Sequence, residues 1–106
     1  MTDFDPEKFE DKYVHYFPEL QQAYKNAFTR INDRYDSTLV HGIDQQVLNE
    51  SEPFYDEEEG FWIELPDDPY ERLTGIPVDE ERFETVLEAH LEAIEVELER
   101  VFGIDS

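Results

Sequence analysis

The chain has 106 residues (12.7 kDa), with 29 acidic against 8 basic side chains, a net charge of −21, and no cysteine. That length suits one domain, 1–106, with a modest core. The charge argues against a nucleic-acid backbone as partner, and the lack of Cys excludes a disulfide framework, a thiolate metal site and a thiol nucleophile.

In chain order, Asp5-Pro6 reads as an N-cap followed by proline at the first helical position. Phe9, Tyr13, Tyr16 and Phe17 then recur at helical spacing and predict one aromatic face. Pro18 disfavours helical geometry at Phe17, so the first helix should end or kink there. A second helix is expected over residues 18–35, with Leu20, Tyr24, Ala27, Phe28, Ile31 and Tyr35 as its apolar stripe. Residues 38–43 and 46–48 are β-leaning and nearly alternating, which predicts a strand, with Gly42 marking a bulge or a close backbone approach. Phe54-Tyr55 and residues 61–65 predict a hairpin across an acidic turn at Asp56–Gly60. Phe61, Ile63 and Leu65 share one face of it, and Trp62 and Glu64 the other. Asp68-Pro69 can start a short helical turn that Thr74-Gly75 ends.

The last element carries the strongest pattern. Asp79 is the expected N-cap, with Glu80, Glu81 and Glu84 at the positive end of the helix dipole. Phe83, Val86, Leu87, His90, Leu91, Ile94, Leu98, Val101 and Phe102 form a continuous stripe, and Gly103 suits the C′ position. About 24 residues at 1.5 Å each give roughly 36 Å. The expected fold is therefore α+β in the order α-α-β-β-β-α: a three-stranded antiparallel meander packed against helices, with a long C-terminal amphipathic helix. A helix so long beside a small sheet makes Leu91, Ile94, Leu98, Val101 and Phe102 candidate interface residues of a homodimer.

Residues that carry chemistry are few. His90 sits on the apolar stripe, the place of a hydrogen-bonded core or interface histidine. His41 lies three residues before Asp44, and in a strand the two face opposite ways, which disfavours a local dyad. Asp11, His15 and Glu19 have the i, i+4, i+8 spacing of metal ligands, yet they lie opposite the aromatic face and read as a solvated surface. Asp56-Glu57-Glu58-Glu59 lacks the spaced ligands of a calcium loop and should hold only a loose cation atmosphere. Ser37 and Ser51 fall in turns without a local catalytic partner. Neither a nucleophile elbow, a zinc-binding HExxH, a Walker loop nor a dinucleotide fingerprint is present. No catalytic residue, cofactor or bound metal is expected.

Two groups favour binding instead. Lys25, Arg30 and Arg34 form a basic cluster on the second helix, expected to pair with glutamates of the last helix. Trp62, Tyr55 and Tyr70 gather at the hairpin and the following turn; contact hot spots use such residues, although packing in the core is the favoured expectation for them.

Charge this high is one signature of disorder. However, Leu, Ile, Val and Phe make up 29 residues, about 27%, and there are 15 aromatics, above the roughly 20% at which disorder is expected. The chain should fold once its self-repulsion is screened, as at about 1 M salt, where the Debye length is roughly 3 Å. The charge is uneven: residues 1–48 carry −4 and residues 49–106 carry −17. An excess of acids with few lysines resembles the cytosolic proteins of salt-in haloarchaea.

The segments DPEKFEDKY and FWIELPDDPYERLTGIP, with the acidic terminal helix, resemble a small family of acidic haloarchaeal proteins of unknown function and about this length. The resemblance implies a cytoplasmic, high-salt setting and carries over no catalytic residue. The acidic opening, MTDFDPEKFE, lacks the apolar run of a secretory leader, and no stretch reaches the roughly 20 apolar residues of a membrane span. The leading expectation is a non-enzymatic interaction module that self-associates. The alternatives are an acidic adaptor for a basic surface, imitating nucleic acid, and a small enzyme using His41 with nearby carboxylates.

Overall fold

The structure is a computed structural model describing residues 4–104. Its elements are a 3-10 turn at Lys8–Asp11, α1 (Lys12–His15), α2 (Phe17–Asn32), α3 (Ser37–Gln46), a 3-10 turn at Leu48–Glu50, β1 (Glu52–Asp56), β2 (Gly60–Glu64), α4 (Pro69–Arg72) and α5 (Glu80–Val101). The fold mixes helices with one two-stranded antiparallel sheet, in the order α-α-α-β-β-α-α.

The expected three-stranded meander is corrected here: of residues 38–43 and 46–48, read as a strand, 38–43 and Gln46 lie in the helix α3, and Leu48 begins the 3-10 turn that follows. Asp36 adopts an extended N-cap conformation and its carboxylate accepts from the Leu39 amide at 3.0 Å. Leu39, Val40, Ile43 and Val47 then fall on one helical face, and all are buried. A satisfied helix start and four buried apolar side chains outweigh the modest strand preference of the β-branched residues. Gly42 does mark a close approach. A Cβ there would overlap Ile76 Cδ1 and lie 3.0 Å from Leu73 Cδ1, so the loop before α5 packs directly on the α3 backbone.

The first helix is broken as well. Asp5 accepts from the Glu7 amide at 2.9 Å, but the chain then forms only a 3-10 turn and a single α-turn. It leaves helical geometry at Tyr16 (φ −128°, ψ 19°), and α2 begins at Phe17 with Pro18 in its first turn. There the missing N–H of Pro18 removes no helical hydrogen bond. The break splits the expected aromatic face: Phe9 and Tyr16 are buried, whereas Tyr13 and Phe17 are exposed.

The core lies where α2 packs along α5. Leu20, Ala23, Ala27 and Ile31 of α2 and Val86, Ala93, Ile94 and Leu98 of α5 are all buried; the two alanines of α2, spaced i and i+4, let the helices approach closely. At one end, Phe4, Phe9, Tyr16, Phe61 and Phe102 form an aromatic cluster with ring centroids 4.9–6.2 Å apart. It joins the N-terminal segment, the hairpin and the end of α5. Asp79 caps α5 by accepting from the Arg82 amide at 2.8 Å. Gly103 (φ 69°) closes the helix, with the Ile104 amide donating to the Glu99 carbonyl at 2.8 Å, the bond of a Schellman end.

In the hairpin, Phe54 pairs with Trp62 and Tyr55 with Phe61. Strand alternation sends Tyr55 and Phe61 inward and leaves Phe54 and Trp62 outward.

Candidate binding surface

Most large apolar side chains are buried or half-buried, but Tyr13 (55% exposed), Val14 (79%), Phe17 (47%) and Trp62 (43%) stand in solvent. Two local causes put them there. The break at Tyr16 parts Tyr13 and Phe17 from the buried Phe9 and Tyr16, and Trp62 lies on the outer face of the hairpin, whose neighbouring Phe54 is met by Lys12 of α1.

Val14 follows Tyr13 in α1, and Tyr13 and Trp62 are linked through Lys12, a lysine only 3% exposed. Its ammonium lies 5.3 Å from the Tyr13 ring centroid, 4.7 Å from that of Phe54 and 5.4 Å from that of Phe9. Phe54 in turn stacks on Trp62 at 4.8 Å. The ammonium also donates to Glu52 at 2.8 Å, which balances its charge. Cation–π attraction and a charge-assisted hydrogen bond together hold a cation in a place that would otherwise strongly disfavour it. Lys12 thereby ties α1 to β1.

On the other side of Tyr13 and Phe17 opens a cleft of about 280 Å³, walled by Tyr24, Asp44, Ser51 and Pro53 among others. The Ser51 hydroxyl donates to the Leu48 carbonyl at 2.6 Å. Its oxygen is then the acceptor for the Tyr24 hydroxyl, 3.2 Å away, and the Tyr24 oxygen keeps its lone pairs. Burial pushes the Tyr24 phenol up to about 12, and Tyr13, Glu52 and Asp44 add to it. Burial also lifts the Asp44 carboxyl above the usual carboxylate range, against the pull of His41. Tyr13 is raised by burial and by Glu52. The cleft is aromatic and electronegative, which suits a cation and not an acid.

The residues singled out in the sequence are dispersed. His41 lies on α3, so the expectation that a strand would turn it away from Asp44 no longer holds; a helix places i and i+3 on one side. Nevertheless His41 is exposed, stacks near Phe28 at 4.8 Å, and lines none of the four clefts described, whereas Asp44 lines one. His90 is buried on α5 as expected, but neither ring nitrogen has a hydrogen-bond partner among the described residues. Asp11, His15 and the Asp56–Glu59 tip are exposed, Glu19 departs from the expected solvated face in being half-buried, and no metal-holding group of three ligands occurs among the described residues.

Of the basic cluster, Arg30 meets the expectation of a partner on α5. It donates to buried Glu97 at 2.5 Å, and Asn26 and Arg100 each donate to the same carboxylate at 3.2 Å. Lys25 and Arg34 form no ion pair among the described residues. Tyr55 and Tyr70 are half-buried, and Tyr70 packs on Phe83 while donating to the Val78 carbonyl at 2.5 Å. Trp62 departs from the expected core position. Among the candidate interface residues, Ile94, Leu98 and Phe102 lie in this chain's own core, while Leu91 and Val101 stay half-exposed. Leu91 borders a groove of about 630 Å³ between α4 and α5 rimmed by Glu71, Glu80, Glu84 and Glu88.

Sequence reasoning missed Lys12 and the cleft. The i, i+4 spacing of Tyr13 and Phe17 was available, but nothing local announced the long-range partners Glu52 and Phe54. No helix among the described residues is long and apolar enough to cross a membrane. No curated protein and no solved structure matches the chain. A family model does match, over residues 1–105, and the chain belongs to that family, described as a family of unknown function (DUF5783).

Proposed function

We propose that the chain is a non-enzymatic interaction module of a salt-rich cytoplasm, and that it docks a basic protein partner through the surface formed by Tyr13, Val14, Phe17 and Trp62. One observation carries this reading: four large apolar side chains stand exposed, whereas the other large apolar side chains among the described residues are buried or half-buried. Exposed apolar patches mark contact sites, and aromatic residues dominate contact energetics. The charge of −21 selects a basic partner over an acidic one. The haloarchaeal resemblance and the excess of acids support the salt-rich setting.

A second copy of the chain is the other occupant to consider. Its motive was the long stripe of α5, and three of those five residues are buried within the chain itself. Two copies would also bring like charges together.

Light scattering across a KCl titration separates the two. A monomer at every salt concentration supports the foreign partner; a dimer that Val14→Glu dissociates assigns the surface to self-association. Cross-linking in concentrated cytosol tests docking itself. Trp62→Ser combined with Val14→Ser should abolish capture of the partner, and unchanged capture by that folded variant would overturn the proposal.

A further inference from the structure

The cleft beside this surface has a chemistry that the docking reading does not use. Its lining includes the exposed side chains of Tyr13 and Phe17 together with Tyr24 and Asp44. The hydrogen bonds fix the polarity of that lining. Ser51 donates to Leu48 and accepts from Tyr24, so the Tyr24 oxygen presents acceptor lone pairs. Asp44 makes no ion pair among the described residues, and its partial burial disfavours the ionised form more than His41 favours it. The cation already in this region, Lys12, is neutralised by Glu52 at 2.8 Å and does not fill the role.

We propose that this cleft receives an arginine side chain of the docked protein partner, its guanidinium stacked between the rings of Tyr13 and Phe17 and hydrogen-bonded to Asp44 and Tyr24. The volume, about 280 Å³, falls below the roughly 300–1,000 Å³ of pockets for drug-sized ligands and matches a single long side chain. Arginine fits better than lysine. Its planar fork can bind a carboxylate in bidentate fashion while its face stacks on an aromatic ring, and it sheds water more readily than an ammonium. The weak hydration matters in concentrated salt, where a hydrated point charge has little advantage over bulk cations.

The inference rests on the docking reading, but its test is separate. Blocked single amino acids serve as probes: N-acetyl-arginine amide, N-acetyl-lysine amide and N-acetyl-norleucine amide, titrated into the full chain in concentrated KCl and monitored by NMR. The arginine probe should shift the signals of Tyr13, Phe17, Tyr24 and Asp44 and bind most tightly, lysine more weakly and norleucine least. Asp44→Asn keeps the shape and removes the charge, and should weaken the arginine probe about tenfold, the effect of losing one charge-assisted hydrogen bond. Tyr24→Phe provides a second variant should Asp44→Asn disturb α3, and Glu57→Gln at the hairpin tip is the charge control. Equal binding of the three probes, shifts away from the cleft, or full-strength binding by both folded cleft variants would overturn the proposal. Loss of self-association in Asp44→Asn would place an arginine of a second copy there and overturn the foreign partner. Failure of the probes would leave docking through Trp62 and Val14 to be judged by cross-linking alone.

Discussion

His90 gives a direct test of the packing between α2 and α5. It is 1% exposed, Phe28 lies 6.5 Å from it, and neither nitrogen is hydrogen-bonded among the described residues. Burial therefore lowers its pKa from 6.5 to about 4, since a charged imidazolium there would have neither water nor a counterion. The sign of the consequence is fixed. Between pH 6.5 and about 4 the unfolded chain holds the proton and the folded chain does not, so stability falls as pH falls through that window and levels off below it. A shift from 6.5 to about 4 at 1.36 kcal/mol per unit amounts to about 3 kcal/mol. Asp44 and Glu95, whose carboxyls burial raises, act in the opposite sense, because the folded chain takes up their protons first. The comparison must therefore be between two proteins at each pH. His90→Leu should be at least as stable as the parent at pH 8, as it removes two unpaired buried nitrogens from the core. Its advantage should then grow by about 1.4 kcal/mol per pH unit below 6.5. Urea unfolding in concentrated KCl, at half-unit pH intervals, measures this. A pH-independent difference, or a folded-state His90 resonance titrating near 6.5, would refute the burial argument.

Other consequences are simpler to read. Gly42→Val should cost about 1–3 kcal/mol by pushing Ile76 and Leu73 off α3, seen as a lower unfolding midpoint; an unchanged midpoint would mean that the close approach does not matter. Arg30→Met leaves the buried Glu97 carboxylate with weaker partners and should cost about 3 kcal/mol. Glu97→Met should cost less, because the side chains of Arg30 and Arg100 are 37% and 67% exposed and can hydrate; equal losses would show that the ion pair acts in some other way. With a net charge of −21, stability should rise steeply with KCl and approach a plateau near about 1 M, where the Debye length is roughly 3 Å. A urea midpoint indifferent to salt would remove the salt-rich reading.

The parts legible in the sequence are those with local causes. Asp79 and Gly103 bound α5 because one side chain and one backbone conformation settle each end. The hairpin arises from two alternating runs across an acidic turn. Residues 38–48 misled because leucine, valine and isoleucine there satisfy a strand by composition and a helix by spacing; Asp36 ahead of Leu39, Val40, Ile43 and Val47 was the signal that favoured the helix. The aromatic surface was hidden for a different reason. A helical wheel places Tyr13 and Phe17 with Phe9 and Tyr16, and only the break at Tyr16 separates them. The burial of Lys12 depends on Glu52, 40 residues away, and no local pattern contains that.

Salt and recognition are linked in this chain. In concentrated salt, long-range attraction between the acidic surface and a basic partner is screened within a few ångströms, so net charge alone cannot hold a complex together. Apolar burial strengthens under salting-out ions, and cation–π contacts act at short range in partly desolvated places. The molecule already uses that combination internally: Lys12 sits against three aromatic rings with one carboxylate for balance. The neighbouring cleft repeats the same materials, aromatic rings and a carboxylate, with its cation still to be supplied by a partner. On this view the acids keep the chain folded and soluble in brine and exclude acidic partners, and the few exposed aromatics hold the basic one. Removing a few surface acids should accordingly change salt dependence and leave capture of the partner intact, while Tyr13 and Phe17 variants should do the reverse. Partner capture that tracked the number of surface acids, and ignored the two aromatics, would defeat the argument.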